Sequence, residues 1–233
     1  MLRTLKQLII SINNLLFITI SLILVACSHN RSNVYDKLQE EIYQSARHKL
    51  QGGHYKDAIK QLETLDHYYT LGNYTQQVQL DLIYAYYKIY KLKNSKKIID
   101  SFLLNYPTHP NIDYVLYMLG LIEMAIDDRL LLKLLCVNDY ERDPGHARAA
   151  FDNFKKIIYN FPNSKYAIYA IKRLIYLKHR LAKHELYLVK YYSNIGAYIA
   201  VVNRVDNMLS NFPDTNYTYK ALPYMENAYK NCN

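Results

Sequence analysis

The stretch "ARHKLQGGHYKDAIKQLETLDHYYT", residues 46–70, decides the fold. Ala46 and Ala58 stand twelve residues apart in it, and a pair of glycines lies between them. Apolar residues recur at spacings of three and four, as on one face of an amphipathic helix. Glycine favours the end of a helix and a tight turn. The stretch therefore predicts a helix near 35–50, a turn at Gly52-Gly53 and a second helix near 55–68.

An aromatic–proline pair recurs along the chain, and a mostly small residue stands twelve positions before the end of each copy. The copies are Tyr106-Pro107, Phe161-Pro162, Phe212-Pro213 and a degenerate Tyr69-Thr70, preceded by Ser95, Ala150, Val201 and Ala58 respectively. This pattern resembles the tetratricopeptide repeat. A small side chain lets the two helices of one repeat approach closely, and proline ends the second helix because it cannot continue one.

The predicted fold class is all-α, a tetratricopeptide-repeat superhelix of about five helix pairs with the last pair incomplete. Only six glycines and six prolines occur in 233 residues, and strand-like alternation is absent. A helical bundle with coincidental spacing is the alternative. The predicted domain covers 35–233, with repeats near 35–70, 75–107, 111–162 and 164–213 and a truncated repeat at 216–233.

Three local features refine this prediction. The second repeat is expected to turn at "KLKN", residues 91–94. In the third repeat, Asp143-Pro144 favours a helix start, because aspartate caps helices and proline suits the first turn. No glycine or proline occurs from Ser164 to Asn194, which predicts one long helix.

The N-terminus has the features of a secretory signal. Arg3 and Lys6 precede an apolar run from Leu8 to Val25, and no acidic residue occurs before Cys27. The segment "LVAC", which ends at Cys27, resembles the lipobox of bacterial lipoproteins, in which the cysteine is lipidated and becomes the first mature residue. This predicts a signal peptide over 1–26 and a lipidated tether over 27–34; an uncleaved anchor or a chance cysteine is the alternative.

Charge and location follow from that signal. Ser28, rather than aspartate, follows the cysteine, which resembles lipoproteins exported to the outer membrane. The prediction is a lipid-anchored protein on the periplasmic face of that membrane.

Removal of 1–26 leaves 27 basic and 20 acidic residues, a net charge of 27 − 20 = +7. This balance suits an acidic partner or an anionic membrane, and the export signal argues against nucleic acid. Cys136 and Cys232 show no spacing pattern, so free thiols are favoured over a disulfide.

The motifs of enzymes are missing. No phosphate-binding G-x-x-x-x-G-K-[ST] or G-x-G-x-x-G occurs. His184-Glu185 begins like a zinc-binding H-E-x-x-H, but Leu188 stands where the second histidine belongs. The histidines are interpreted as surface or groove residues, and Asp127-Asp128 as a solvated turn. No Glu-Ser dipeptide exists, which counts against a lytic transglycosylase. The prediction is no enzyme, no catalytic residue, no metal and no cofactor.

Function is therefore expected to lie in a surface. Stacked helix pairs form concave faces that hold extended or helical segments. Aromatic residues on the inner helices are the candidates for groove contacts, and a core role is the alternative for each. The apolar insertion "LLLKLLCV", residues 130–137, either covers a hydrophobic gap or binds a partner. The groove candidates are Tyr74, Tyr84, Tyr114 and Tyr117.

Several longer segments resemble the BamD family, lipoproteins of the β-barrel assembly machinery. They are "QQVQLDLIYAYYK", "NYPTHPNIDYV", "RDPGHARAAF", "KRLIYLKHRLAKHE" and "GAYIAVVNRV". The resemblance implies a non-enzymatic scaffold. Its N-terminal repeats would receive the C-terminal signal of unfolded outer-membrane proteins, and its C-terminal repeats would bind the last POTRA domain of a BamA-like insertase and other lipoproteins of the complex.

The resemblance also implies site residues. Cys27 takes the family's lipidation role, and Arg204, in "VVNRV", matches the family arginine at the BamA contact, with Asn203 and Tyr198 as further partner-binding candidates. A local ion pair is the alternative for Arg204. Two departures are expected to matter: the family's final helix does not follow before Asn233, and the tether is short. A generic periplasmic adaptor in envelope assembly is the alternative function, and a muralytic enzyme ranks last.

Overall fold

The computed structural model describes residues 36–68, 74–128 and 139–231, and all regular structure in these ranges is helical. The prediction of an all-helical repeat fold is confirmed. A short 3₁₀ turn at Asp139–Glu141 precedes the sixth helix. The helices are α1 (36–51), α2 (Tyr55–Tyr68), α3 (Thr75–Lys88), α4 (Leu92–Asn105), α5 (Ile112–Asp127), α6 (Gly145–Asn160), α7 (Ala167–Asn194), α8 (Tyr198–Asn211) and α9 (Asn216–Asn231).

The described residues form two compact units, one up to Ala85 and one from Tyr86 onward. In the first unit, side-chain hydrogen bonds join α1 to α2, α2 to α3 and α1 to α3. In the second unit, each helix from α4 to α9 packs on the next, and α9 also packs on α7. This succession of neighbouring contacts is the arrangement expected of a helical repeat.

The aromatic–proline pairs end their helices as predicted. α4, α6 and α8 all stop at the aromatic residue, whose φ lies between −131° and −135°. In each case its backbone N–H donates to the carbonyl oxygen four residues earlier. The following proline excludes its neighbour from the helical region and has no N–H of its own, so the helix cannot continue. The three pairs are Tyr106-Pro107, Phe161-Pro162 and Phe212-Pro213.

In each of the four copies, the degenerate one included, the residue twelve positions before the second member of the pair is fully buried. These residues are Ala58, Ser95, Ala150 and Val201. A further close approach occurs at Gly120 on α5. A Cβ atom at this position would lie 2.6 Å from the ring of Phe154, which is itself fully buried on α6. Only a residue without a side chain fits there unless the ring moves. The contact between α5 and α6 therefore depends on this glycine.

One predicted turn lies elsewhere. "KLKN" was expected to form the turn between α3 and α4, but α4 already begins at Leu92. The turn precedes it at Tyr90, which adopts a left-handed φ of 61°. The hydroxyl of Tyr90 donates to the backbone oxygen of Ala125 at 2.8 Å. This bond helps to hold a conformation that glycine or asparagine usually occupies, and so the sequence contains no turn signal there.

The long helix predicted after Ser164 exists as the 28-residue α7, twice the length of the 14-residue α8 that follows it. The C-terminal half of α7 contributes Leu186 and Val189 to a buried cluster with residues of α8 and α9. Within the described ranges, no helix is both long and apolar enough to cross a membrane. The lipobox and the signal run fall outside those ranges.

Candidate functional site

Arg204 lies on α8 with about a third of its side chain exposed. Its Nη1 donates to Oε2 of Glu185 at 3.0 Å, and its guanidinium carbon lies 5.9 Å from the centre of the Tyr192 ring. Burial opposes the charge of Arg204, but hydrogen bonding to Glu185 and that carboxylate's charge raise the pKa of Arg204 above its ordinary value. The local ion pair considered for Arg204 is thus present.

Glu185, on α7, holds a second arginine as well. Its side chain is almost fully buried, and its Oε1 accepts a hydrogen bond of 2.9 Å from Nη2 of Arg148 on α6. One carboxylate therefore bridges two guanidiniums from two different helices. A buried carboxylate needs such partners, because an uncompensated charge in the protein interior is costly. The group carries one negative and two positive charges, which leaves a surplus positive charge.

The two arginines line a groove of about 750 Å³ between α6, α7 and α8, which we call the arginine groove. Its wall combines these charged groups with apolar side chains of α6 and α7 and with Phe212, which follows α8. Lys155 adds a further cation and Asp152 one acidic group. A surface of this kind suits a protein segment that presents acidic and apolar side chains together. The apolar residues at the groove include Phe151, Ile158, Leu174, Leu181 and Phe212.

The other two predicted partner-binding residues lie in a different place. Tyr198 and Asn203 line a shallow hollow of about 610 Å³ at the start of α8, together with Gly196 and Ile199. Asn203 and Arg204 are adjacent in sequence, but successive residues of a helix lie about 100° apart around its axis. The structure therefore brings Tyr198 and Asn203 together and separates them from Arg204.

Tyr114 and Tyr117, two groove candidates, belong to a partly buried aromatic cluster in the second unit. Tyr166 lies 5.7 Å from Tyr114 and stacks on Tyr117 at 5.0 Å. Tyr169 adds a tilted ring contact of 6.4 Å to Tyr117, and the guanidinium carbon of Arg173 lies 5.2 Å from the centre of the Tyr117 ring. Burial raises the pKa of Tyr117. Tyr114 and Tyr117 each pack in this cluster and also keep exposed surface. Packing in the core therefore does not exclude a groove contact for either residue.

Tyr74 and Tyr84, the other groove candidates, lie in the first unit. Tyr74 stacks on Tyr43 with ring centres 4.8 Å apart, and Tyr84 is exposed beside Tyr55 at 6.0 Å. The hydroxyl of Tyr43 donates to Asp81 at 2.9 Å. Burial raises the pKa of Asp81, although hydrogen bonds from its neighbours oppose that shift. The four candidates thus divide between the two units.

A second buried carboxylate was missed by the sequence reasoning. Glu123, on α5, accepts 2.6 Å bonds from Nζ of Lys96 on α4 and Nδ1 of His146 on α6. Burial alone would raise the pKa of Glu123, but the hydrogen bonds and charges of Lys96 and His146 together lower it. Like Glu185, this residue bridges the helices on either side of its own.

The sequence does contain a signal for Glu185. Leu177, Leu181 and Val189 are buried on one face of α7, and Glu185 occupies the remaining position of that four-residue spacing. An acidic residue in a register otherwise filled by buried apolar residues predicts a buried ion pair. The spacing does not reveal which cations complete the pair, because they come from other helices.

Two interpretations of polar residues need correction. His184 is buried, and its Nδ1 donates to the backbone oxygen of Tyr140 at 2.7 Å, so it is not a surface or groove residue. Asp127 is not part of a freely solvated turn. It accepts two parallel bonds from Arg180, at 2.8 and 3.0 Å, and Arg180 itself is buried. Both bonds join residues far apart in sequence, 44 positions for His184 and 53 for Asp127, which sequence periodicity does not show.

Several expectations fall on residues outside the described ranges, namely Cys27, the insertion "LLLKLLCV", Cys136 and Cys232. Among the residues that the structure does describe, no group of three or more histidine, cysteine or acidic side chains could hold a metal ion.

Successively packed helix pairs with buried small residues and proline-terminated helices define a tetratricopeptide-like helical repeat protein. The family model described as "YfiO: Outer membrane lipoprotein" matches residues 35–233. The chain belongs to this family.

Curated relatives carry the name outer membrane protein assembly factor BamD. The relative from Pasteurella multocida is 40% identical over 210 residues, which covers 90% of this chain and 80% of the relative. The relative from Vibrio cholerae is 40% identical over 208 residues, covering 89% and 86%. The relative from Buchnera aphidicola is 39% identical over 189 residues, covering 81% and 77%.

Proposed function

We propose that the protein is a lipoprotein scaffold of the β-barrel assembly machinery in the outer membrane. It binds a BamA-like insertase, other lipoproteins of the complex and unfolded outer-membrane proteins, and so promotes their folding and insertion. The observation that carries this proposal is the family match over 35–233, supported by relatives that are named outer membrane protein assembly factors. The proposed role is that of a non-catalytic adaptor.

The lipid anchor is the second part of the proposal. Cleavage after residue 26 and lipidation of Cys27 place the protein on the periplasmic face of the outer membrane, with 27–34 as tether and 35–233 as the repeat domain. More than one acyl chain on one residue would hold it firmly, whereas a single chain binds only marginally. Mass spectrometry of the mature N-terminus tests this: an unmodified Cys27, or a retained signal peptide, would contradict it.

Arg204 is proposed as a contact to the insertase, and its surroundings support this. It combines an exposed portion with a neighbour, Glu185, that holds it in place and a second arginine that leaves surplus positive charge at the groove. A carboxylate of the partner could bind there without leaving Glu185 unpaired, because Arg148 remains bonded to it. Arginine suits this role because it offers several N–H donors in fixed directions.

The structure dictates the choice of variant for the test. Arg204→Glu would place a second carboxylate beside the buried Glu185 and would disturb the fold itself. Arg204→Met keeps an unbranched apolar stem and removes the charged head group. Arg148 lines the same groove, so the matched control is Lys96→Met, which removes one ion pair from the other buried carboxylate, Glu123. Tagged full-length variants are purified from membranes and the co-purified insertase is quantified.

Arg204→Met should lower the co-purified insertase about tenfold, as expected for loss of a central charged contact, while Lys96→Met should lower it far less. Equal losses from both variants would assign the effect to loss of a buried ion pair instead of a direct contact. No loss from either would remove Arg204 from the interface. If the unaltered protein brings down no insertase, the proposed function itself fails.

The tyrosines of the first unit are proposed to contact unfolded outer-membrane proteins. Tyr84 supports this best, because it is exposed on α3 while its neighbour Tyr55 lies against it. A photo-crosslinking residue at Tyr84 should capture such proteins during synthesis. The same residue at Tyr229, exposed on α9, is the control. Equal capture at both positions would contradict a specific role for Tyr84.

A further inference from the structure

One apolar stripe runs the length of α7 but is covered over only half of it. Ile168, Ile175, Ala182 and Val189 follow one another at intervals of seven residues and so share one face of the helix. Ala182 and Val189 are fully buried, whereas Ile168 and Ile175 are 65% and 55% exposed. Ile171, 46% exposed, lies on the same side one turn further along. We call Ile168, Ile171 and Ile175 the isoleucine stripe.

Other helices explain the covered half. Leu186 and Val189 belong to a buried cluster with Val201 of α8 and with Ala221 and Ala228 of α9. α8 has 14 residues against the 28 of α7, so it can flank only part of that helix. Because α8 and α9 pack along the C-terminal half of the stripe, its natural cover is another helix. The N-terminal half offers the same kind of packing surface from Ile168 to Tyr176, over about 12 Å of helix.

The exposed side of this N-terminal half is unusually apolar. Seven residues of 167–180 are exposed, and five of them are large and apolar, the isoleucine stripe together with Tyr169 and Tyr176. On the neighbouring α6, eight residues are exposed and only Tyr159 is large and apolar. A helix that faces water on one side normally carries polar residues there. A contiguous exposed apolar face therefore marks an interaction surface.

Charge narrows the choice of partner. No acidic residue occurs from Ser164 to His184, a stretch that contains Lys165, Lys172 and Arg173. Lys172 is exposed on the same face as the isoleucine stripe, and Lys165 is exposed just before α7 begins. A partner with acidic residues beside its apolar face would complement this surface.

A concave neighbour favours a protein helix over a membrane. Leu174 is one turn from Ile171 on α7 and lines the arginine groove, together with Tyr159 and Phe212. Ile171 therefore lies one turn from the wall of this groove, and an amphipathic helix can lay its apolar face along both. A flat lipid surface could meet the isoleucine stripe but could not follow the protein surface into the groove.

We propose that the isoleucine stripe docks an acidic amphipathic α-helix of a partner protein, which covers the first half of α7 as α8 and α9 cover the second. The helix presents apolar residues to Ile168, Ile171 and Ile175 and acidic residues to Lys172 and Lys165. This inference uses the proposed function only in expecting the partner in the same envelope machinery.

Photo-crosslinking in cells tests the inference with the full-length protein. The crosslinking residue p-benzoylphenylalanine replaces Ile171 in one strain and Leu104, an 82% exposed residue of α4, in the control strain. The crosslinked segment is identified by peptide mass spectrometry. The expected result is a segment with apolar residues at helical spacing and net negative charge, captured from Ile171 and not from Leu104.

A charge within the stripe provides the second measurement. With the crosslinker at Ile175, Ile168→Asp should lower the yield about tenfold, as loss of one well-buried apolar contact predicts, while Leu104→Asp should leave it unchanged. Circular dichroism melting curves identify any variant that fails to fold, and Ile168→Gln is then used in place of Ile168→Asp.

Three outcomes would overturn the inference: lipid adducts at Ile171, which indicate a membrane surface; capture of a basic or non-helical segment; and no capture above the Leu104 control. The test is separable from that of the proposed function. If the insertase co-purifies but no crosslink forms from Ile171, the inference is wrong and the proposed function stands. An acidic helix captured from a protein outside the assembly machinery supports the inference and counts against the proposed function.

Discussion

Glu123 and Glu185 are two buried carboxylates that each bond to basic side chains of both neighbouring helices, but the basic residues differ. Each sits on a helix between two others and bonds to both, Glu123 to α4 and α6, and Glu185 to α6 and α8. Glu123 meets one lysine and one histidine, and an imidazole, unlike a guanidinium, is not a permanent cation. Glu185 meets two arginines and retains one positive charge. The cluster at Glu123 therefore joins helices, whereas the cluster at Glu185 joins helices and also gives the arginine groove a positive charge for binding.

The largest expected effect comes from leaving a buried carboxylate without cations. Arg148→Met combined with Arg204→Met should lower the free energy of unfolding by about 3 kcal/mol, the lower end for a broken buried pair because both arginines are partly solvated. Urea unfolding followed by circular dichroism measures it. Adding Glu185→Gln to this double variant should restore at least half of the loss. A triple variant no more stable than the double one would show that the buried charge is not responsible.

Glu123→Gln should cost about 1–2 kcal/mol at neutral pH, since it removes the charge from two hydrogen bonds. The pKa of Glu123 is lowered in the folded protein, so its contribution is present above the unfolded value and is lost as pH falls through the folded value. The stability difference between the native protein and Glu123→Gln should therefore shrink from about pH 6 to about pH 3. A difference that stays constant over this range would contradict the lowered pKa.

Arg204→Lys should change stability by only about 0.5 kcal/mol, because a single N–H bond joins Arg204 to Glu185 and the side chain is partly solvated. Binding to the insertase should fall more clearly, since an ammonium lacks the fixed donor directions of a guanidinium. Parallel melting curves and co-purification separate the two effects. If stability and co-purification fall together, the binding role of Arg204 is not distinct from its structural one.

The smallest expected effect is at an ion pair that lies outside the two clusters. Lys230 and Glu226 are four residues apart on α9 and both are largely exposed. The ion pair lowers the pKa of Glu226, but water and salt screen it. Glu226→Gln should leave the melting temperature unchanged within the error of the measurement. A clear decrease would mean that the contrast between buried and exposed pairs is overstated.

The sequence predicted what is local in this fold and missed what joins distant segments. The ends of α4, α6 and α8 follow from one dipeptide each, and α7 follows from an absence of glycine and proline. The partners of Glu185 are 37 and 19 residues away on other helices, so no spacing rule connects them. The turn at Tyr90 was misplaced for a related reason, because a distant backbone oxygen helps to hold it.

The same lesson applies to the site. Arg204 was predicted from a family motif, but its pairing with Glu185, and the location of Tyr198 and Asn203 at another hollow, depend on how α8 is rotated against α7. Helical periodicity assigns residues to faces and does not say which neighbouring helix each face meets. Arg148 was missed because its predicted helix did not reveal that the face carrying it meets Glu185.

The bridging carboxylates also bear on how the molecule opens. Repeat arrays tend to fray progressively, because each repeat touches only its neighbours. Here α6 donates to both Glu123 and Glu185, so detaching it would remove a hydrogen-bond donor from two interior carboxylates at once. Amide hydrogen exchange along α4 to α8 should therefore proceed in one concerted event, with α9, bonded to neither glutamate, exchanging earlier.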